Sequence, residues 1–132
     1  ADAAVMAAAV ADWHVSNASD QKIKKTASGL PVLEFAENPD ILATLSKGAN
    51  RPALVVGFAA ETSDHLQEAR RKLEAKGLDV IYVNDVSGGA IFGQDTTMGT
   101  ILIRNEADIA VKEVSKDALS NTLLDQAIRQ LG

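Results

Sequence analysis

The chain has 132 residues and a formal net charge of -5, with 13 Lys and Arg against 18 Asp and Glu. Nucleic-acid backbones and anionic membranes carry dense negative charge, so this balance argues against both as main partners. There is no cysteine, which excludes a disulfide framework, a thiolate metal site and a cysteine nucleophile, and suits a reducing cytoplasm, the expected location.

The length fits one domain with a sizeable core. Hydrophobic residues make up 46% and aromatics only 4%, so that core must be built from Ala, Val, Ile and Leu. No apolar run approaches the ~20 residues of a membrane helix. The chain opens on apolar residues 3–10 with no positive segment before them, unlike a signal peptide. The run reads as a buried strand, and a start inside such an element predicts a piece of a longer protein, a single partial domain over 1–132.

Ala8-Ala9-Val10-Ala11-Asp12 closes this run. Small residues at a strand end let a flat base or ribose approach the backbone, or else pack a helix on the sheet. Asp12 suits a ribose hydroxyl, a base amino group or a metal-bound water; its rival role is capping the following loop. Residues 12–30 form a long polar stretch, the length of a lid. It carries Lys22-Ile23-Lys24-Lys25. Three ammonium groups within four residues of an acidic chain suit a bound polyphosphate, or simply a solvated loop.

Asn38-Pro39-Asp40 reads as N-cap, first-turn proline and first-turn acid, leading into Ile41, Leu42 and Leu45, with Gly48 as the stop. A helix N-terminus there offers a seat for an anion. Residues 53–60 and 78–83 are continuous apolar runs, the pattern of parallel strands covered on both faces. Between them a helix opening at Thr62 or Ser63 carries Leu66, Ala69 and Leu73 before Gly77. Phe58 could stack on a base or sit in the core. Lys72 and Lys76, four apart on one helix face, could reach phosphates or stay solvated. Gly88-Gly89 reads as a plain turn, and no glycine-rich phosphate loop follows any strand. Residues 98–114 read as an antiparallel hairpin around Asn105-Glu106-Ala107-Asp108, and a final helix starts near Ser115. The fold expected is α/β: a three-layer, doubly wound, Rossmann-like and mainly parallel sheet, incomplete at its N-terminus, ending in a hairpin and a helix. His14 and His65 lack partners at metal-ligand spacing, the metal ligands stay unknown, and no Ser/His/Asp set appears.

The order of Ala8-Ala9-Val10-Ala11-Asp12-Trp13, Lys22-Ile23-Lys24-Lys25, Asn38-Pro39-Asp40-Ile41-Leu42, Gly57-Phe58-Ala59-Ala60-Glu61-Thr62, Lys72, Lys76, Asn84-Asp85 and Phe92-Gly93-Gln94-Asp95 resembles the bacterial phosphopantothenoylcysteine synthetases. In many bacteria these form the C-terminal half of a bifunctional protein whose other half is an FMN-dependent decarboxylase. The resemblance spans nearly the whole chain. It implies ligation of 4'-phosphopantothenate with cysteine in coenzyme A biosynthesis, through an acyl-cytidylate made from CTP with Mg2+, in a homodimer. FMN would belong only to the decarboxylase half.

By the same resemblance, Lys22 would act in the first half-reaction. Ala8, Ala9, Asp12, Lys22, Asn38, Pro39, Asp40, Ile41, Phe58, Lys72 and Lys76 would line the nucleotide site. Lysines and Mg2+ would neutralise the charge that builds when a carboxylate attacks a triphosphate. The family's glycine- and serine-rich first segment, with an asparagine for the second half-reaction and a nearby arginine, has no counterpart in this sequence. Thr97 stands where the family often has Asn, and Trp13-His14 where it often has an aromatic and Arg. The alternative is a non-catalytic dimerisation or interaction module on the same fold.

Overall fold

The computed structural model describes residues 1–24, 29, 31–61, 65–86 and 95–132, with the backbone alone of His65. In chain order the elements are β1 (Ala3–Val5), β2 (Trp13–Val15), β3 (Phe35–Glu37), α1 (Ile41–Lys47), β4 (Leu54–Glu61), α2 (His65–Lys76), β5 (Val80–Asp85), β6 (Thr96–Ile103), β7 (Ile109–Ser115) and α3 (Lys116–Leu131). They form two compact units, Ala8–Ile41 and the larger Ala1–Ala7 with Leu42–Gly132.

The larger unit is an α/β sandwich. Its five-stranded sheet has the order β1-β4-β5-β6-β7. β1, β4 and β5 pair parallel, and β6 pairs antiparallel with both β5 and β7. Of these five strands, only β6 therefore runs against the rest. Side chains alternate across β4 and β5, so each face builds its own core. On one face Leu54, Val56, Val80, Tyr82, Ile101 and Ile103 pack against Leu119, Leu123 and Ala127 of α3. On the other, Val55, Ile81, Val83 and Leu102 meet Ala69 and Leu73 of α2, with Leu42 of α1 beside them. Burial on both faces is why these strands are continuous apolar runs rather than alternating ones.

Local chemistry sets the boundaries. Ser115 caps α3: its hydroxyl accepts from the Ala118 amide at 3.1 Å. Gly77, at φ +72°, ends α2 in the left-handed conformation. Its amide donates to the Glu74 carbonyl and that of Leu78 to Leu73, a Schellman closure sealed by Leu73 and Leu78 in one core cluster. Asp79, at the amino end of β5, ties the strands together. Its Oδ2 accepts from the Val55 amide at 2.7 Å and from Arg51 at 2.5 Å, while Arg104 donates to the Leu78 carbonyl at 2.8 Å.

The structure redraws several expected boundaries. The apolar run 3–10 is strand only over Ala3–Val5, because its register with β4 ends at Val5↔Val56, followed by one bond from the Met6 amide to the Val56 carbonyl. The amino end of the 13–30 segment is not loop. Trp13–Val15 pairs antiparallel with Phe35–Glu37, and Asn17 extends the ribbon by bonding Val32 and Glu34. α1 begins at Ile41 rather than just after Asn38, and the Asn38 side chain donates to the Ala11 carbonyl instead. The expected helix opening at Thr62 or Ser63, the Gly88-Gly89 turn, Lys25 and Phe92-Gly93-Gln94 lie outside the described residues. No helix among the described residues is long and apolar enough to cross a membrane.

Candidate functional site

In parallel α/β sheets, ligands bind outside the carboxyl ends of the strands. In the larger unit those ends carry Glu61 on β4 and Asn84-Asp85 on β5, and Glu61 is in register with Asp85. The alternation along β4 puts Phe58 and Ala60 on the α3 face and Ala59 and Glu61 on the α2 face.

Each face presents different chemistry. On the α2 face, the Lys72 ammonium donates to the Glu61 carboxylate, holding a partly buried cation at the strand end. Other α2 cations are engaged elsewhere, Arg70 with Asp108 and Arg71 with Glu68. Lys76 lies one turn further on, at the far end of the helix, where its carbonyl accepts a bond from the buried Ser46 hydroxyl. About 6 Å of helix rise separates it from Lys72.

On the α3 face, Phe58 is half-buried and meets Tyr82 edge-on, with ring centroids 6.3 Å apart at 70°. It packs on the α3-side core, while its position near the strand end leaves it part-exposed. The Tyr82 hydroxyl lies 2.8 Å from Thr97 Oγ1, and Thr97 donates to Asn84 Oδ1 at 3.1 Å. Burial pushes the Tyr82 phenol above its ordinary value, and its bond with Thr97 opposes that rise.

The smaller unit gathers the other expected residues. The Asn38 backbone amide donates to the Asp12 carbonyl at 2.8 Å, and its side chain donates to the Ala11 carbonyl at 2.7 Å. These two bonds bring the Ala8–Asp12 segment beside Asn38, Pro39, Asp40 and Ile41. Ala8, Ala9, Asp12, Pro39, Asp40 and Ile41 are exposed, as is Lys22 on the loop beyond the ribbon. Phe58, Lys72 and Lys76 belong to the larger unit.

Glu61 received no role from the sequence, although it sits within a block that carries the resemblance. A carboxylate ending a continuous apolar strand, with lysines on the next helix, is the signal for its pairing. Tyr82 and Asn84 two apart on one strand face were equally visible, but Thr97 joins them only through the β5–β6 register. Among the described residues no three His, Asp or Glu side chains cluster as a metal site. Glu61 and Asp85 are a pair in register, the number of carboxylates Mg2+ commonly takes when phosphates and water supply its other ligands.

A mostly parallel five-stranded sheet with helices on both faces defines an α/β class of fold. The profile of the DNA/pantothenate metabolism flavoprotein C-terminal domain matches residues 1–131, and the chain belongs to this family. It is 36% identical over 137 residues to the coenzyme A biosynthesis bifunctional protein CoaBC of Mycobacterium tuberculosis, covering 97% of this chain and 33% of that protein. It is 39% identical over 126 residues to CoaBC of Bacillus subtilis, covering 95% and 30%. The chain thus spans about a third of the length of these relatives. Among solved structures, the C-terminal domain of CoaBC superposes with a TM-score of 0.69 at 26% identity, covering 94% of this chain and 52% of that one. The DNA/pantothenate metabolism flavoprotein of Streptococcus pneumoniae gives 0.69 at 18% identity, a likeness of fold alone.

Proposed function

We propose that this chain is the nucleotide-binding part of a CTP-dependent phosphopantothenate–cysteine ligase acting in coenzyme A biosynthesis. The observation that carries the reading is the family match over residues 1–131, together with 36% identity across nearly the whole chain to bifunctional CoaBC proteins. The geometry supports it. Lys72 is held at a strand end by Glu61, where an ammonium group can neutralise charge on a phosphoryl group under attack.

On this reading CTP, 4'-phosphopantothenate and cysteine are the substrates. Lys22 assists acyl-cytidylate formation, and Ala8, Ala9, Asp12, Asn38, Pro39, Asp40, Ile41, Phe58, Lys72 and Lys76 line the nucleotide site. Mg2+ would supply charge neutralisation on the triphosphate. FMN belongs to the decarboxylase half of bifunctional relatives, and the working protein is a cytoplasmic homodimer. Calorimetric titration with CTP, ATP and NAD, with and without Mg2+, tests this directly. Preference for CTP with Mg2+, weakened by Lys22→Ala or Asp12→Asn, is the expected outcome. Equal indifference to the three nucleotides refutes it.

A second reading, a non-catalytic dimerisation module, draws on the ribbon of the smaller unit, where Trp13 is 56%, Val32 81% and Phe35 63% exposed. It predicts a concentration-dependent dimer, weakened by Trp13→Ser, with no nucleotide affinity.

A further inference from the structure

Asn84 sits in a polar chain whose direction can be worked out by counting protons. Thr97 has a single hydroxyl proton and donates it to Asn84 Oδ1. The contact between Tyr82 and Thr97 must then be a bond donated by Tyr82. Polarity runs from Tyr82 through Thr97 to Asn84, each bond strengthening the next. This arrangement uses the Asn84 carbonyl oxygen and fixes the amide plane; among the described residues Nδ2 has no partner, so its two protons are the group Asn84 can offer.

The residues paired with Asn84 carry little side chain of their own. On β4 its register partner is Ala60, and on β6 it is Gly99. Gly99 cannot carry a methyl group, which would collide with the Val83 carbonyl. A preset donor therefore stands at the strand ends beside the small side chain of Ala60. Phe58 lies two residues before Ala60 on the same face of the sheet, with Tyr82 against its edge. The Lys72–Glu61 pair occupies the opposite face.

We propose that Asn84 reads the nucleoside: its Nδ2 donates to an acceptor oxygen or ring nitrogen of the base or ribose, and Tyr82 and Thr97 are its positioning residues. This inference rests on the nucleotide reading given above and adds a division of labour to it. The α2 face of the sheet end takes phosphate through Lys72, and the α3 face takes the nucleoside through Asn84 beside Phe58.

Two ligands separate the halves. The 132-residue chain is titrated calorimetrically with CTP and with inorganic tripolyphosphate, each with Mg2+, as wild type and as Asn84→Ala, Thr97→Val, Thr97→Ser and Lys72→Ala. Unfolding midpoints are recorded for every variant. Asn84→Ala should weaken CTP about tenfold, and Thr97→Val about threefold to tenfold, the range expected for one lost or misdirected hydrogen bond. Both should leave tripolyphosphate affinity unchanged. Thr97→Ser, which keeps the relay, should bind CTP like wild type, and Lys72→Ala should weaken both ligands. Wild-type affinity for CTP in Asn84→Ala and Thr97→Val overturns this inference alone. Parallel weakening of both ligands in those variants overturns it too, since that marks a general loss of structure. Absence of CTP binding by the wild type instead removes the nucleotide reading, and the inference with it.

Discussion

Gly99→Ala gives a sharp test of how β5 and β6 approach each other. Gly99 faces Asn84, next to the irregularity between Thr97 and Gly99. A methyl group there would stand 2.9 Å from the Val83 carbonyl carbon, against the carbonyl oxygen itself, and 3.0 Å from the Tyr82 hydroxyl. Non-bonded heavy atoms settle at ~3.5 Å, and the Val83 carbonyl oxygen would lie far inside that distance, so the strands must separate by roughly an ångström or more. The principal obstacle is backbone, which cannot rotate aside. Overpacking costs ~1–3 kcal/mol, and a distorted ladder bond adds ~1 kcal/mol. The expected loss is about 3 kcal/mol, or roughly 10 °C in melting temperature for a chain of this size.

Urea unfolding followed by far-UV circular dichroism measures this, provided the slope m stays constant between variants. Gly57→Ala is the control. Its methyl would meet Leu78 Cδ1 at 2.7 Å and Leu42 Cδ2 at 3.2 Å, both ends of flexible side chains. That substitution should cost only ~1 kcal/mol. Equal losses at the two glycines, or less than ~1 kcal/mol at Gly99, would refute the argument that backbone blocks the site.

Two further outcomes follow from local chemistry. Ser115→Ala removes the acceptor for the Ala118 amide and should lower stability by ~1 kcal/mol in the same assay; an unchanged midpoint would mean solvent replaces the cap. Burial raises the Tyr82 phenol, so the folded state retains that proton to higher pH than the unfolded chain. The resulting stabilisation is complete below pH ~10 and is lost as pH rises through the folded value, with a slope of at most ~1.4 kcal/mol per pH unit. Tyr82→Phe should flatten the alkaline part of a stability-versus-pH curve, and identical curves would contradict it.

The layered core is legible in the sequence because it follows from local pattern. Residues 53–60 and 80–83 are unbroken apolar runs, as strands buried on two faces require, and Gly77 and Ser115 punctuate the helices in the expected manner. Trp13–Val15 and Phe35–Glu37 are not legible. Each is only three residues long, and they find each other across the whole polar loop. The Asn-Pro-Asp signal at residues 38–40 marks a helix start correctly to within a few residues. The bonds of Asn38 to Ala11 and Asp12 are a tertiary feature that no local pattern announces. At the candidate site, Lys72 is visible as a charge on a helix face, but its seat on Glu61 depends on how α2 folds back along β4. Thr97 becomes a partner of Tyr82 and Asn84 only once the antiparallel register is set.

The Asp79 tether lies at the end of the sheet away from Asn84 and Glu61. Because one carboxylate fastens β4, β5 and the flanking arginine at that lower rim, this anchorage and the proposed ligand site lie at opposite poles of the same strands. On the proposed reading, residue changes at the upper rim retune what is bound while the anchorage below stays intact.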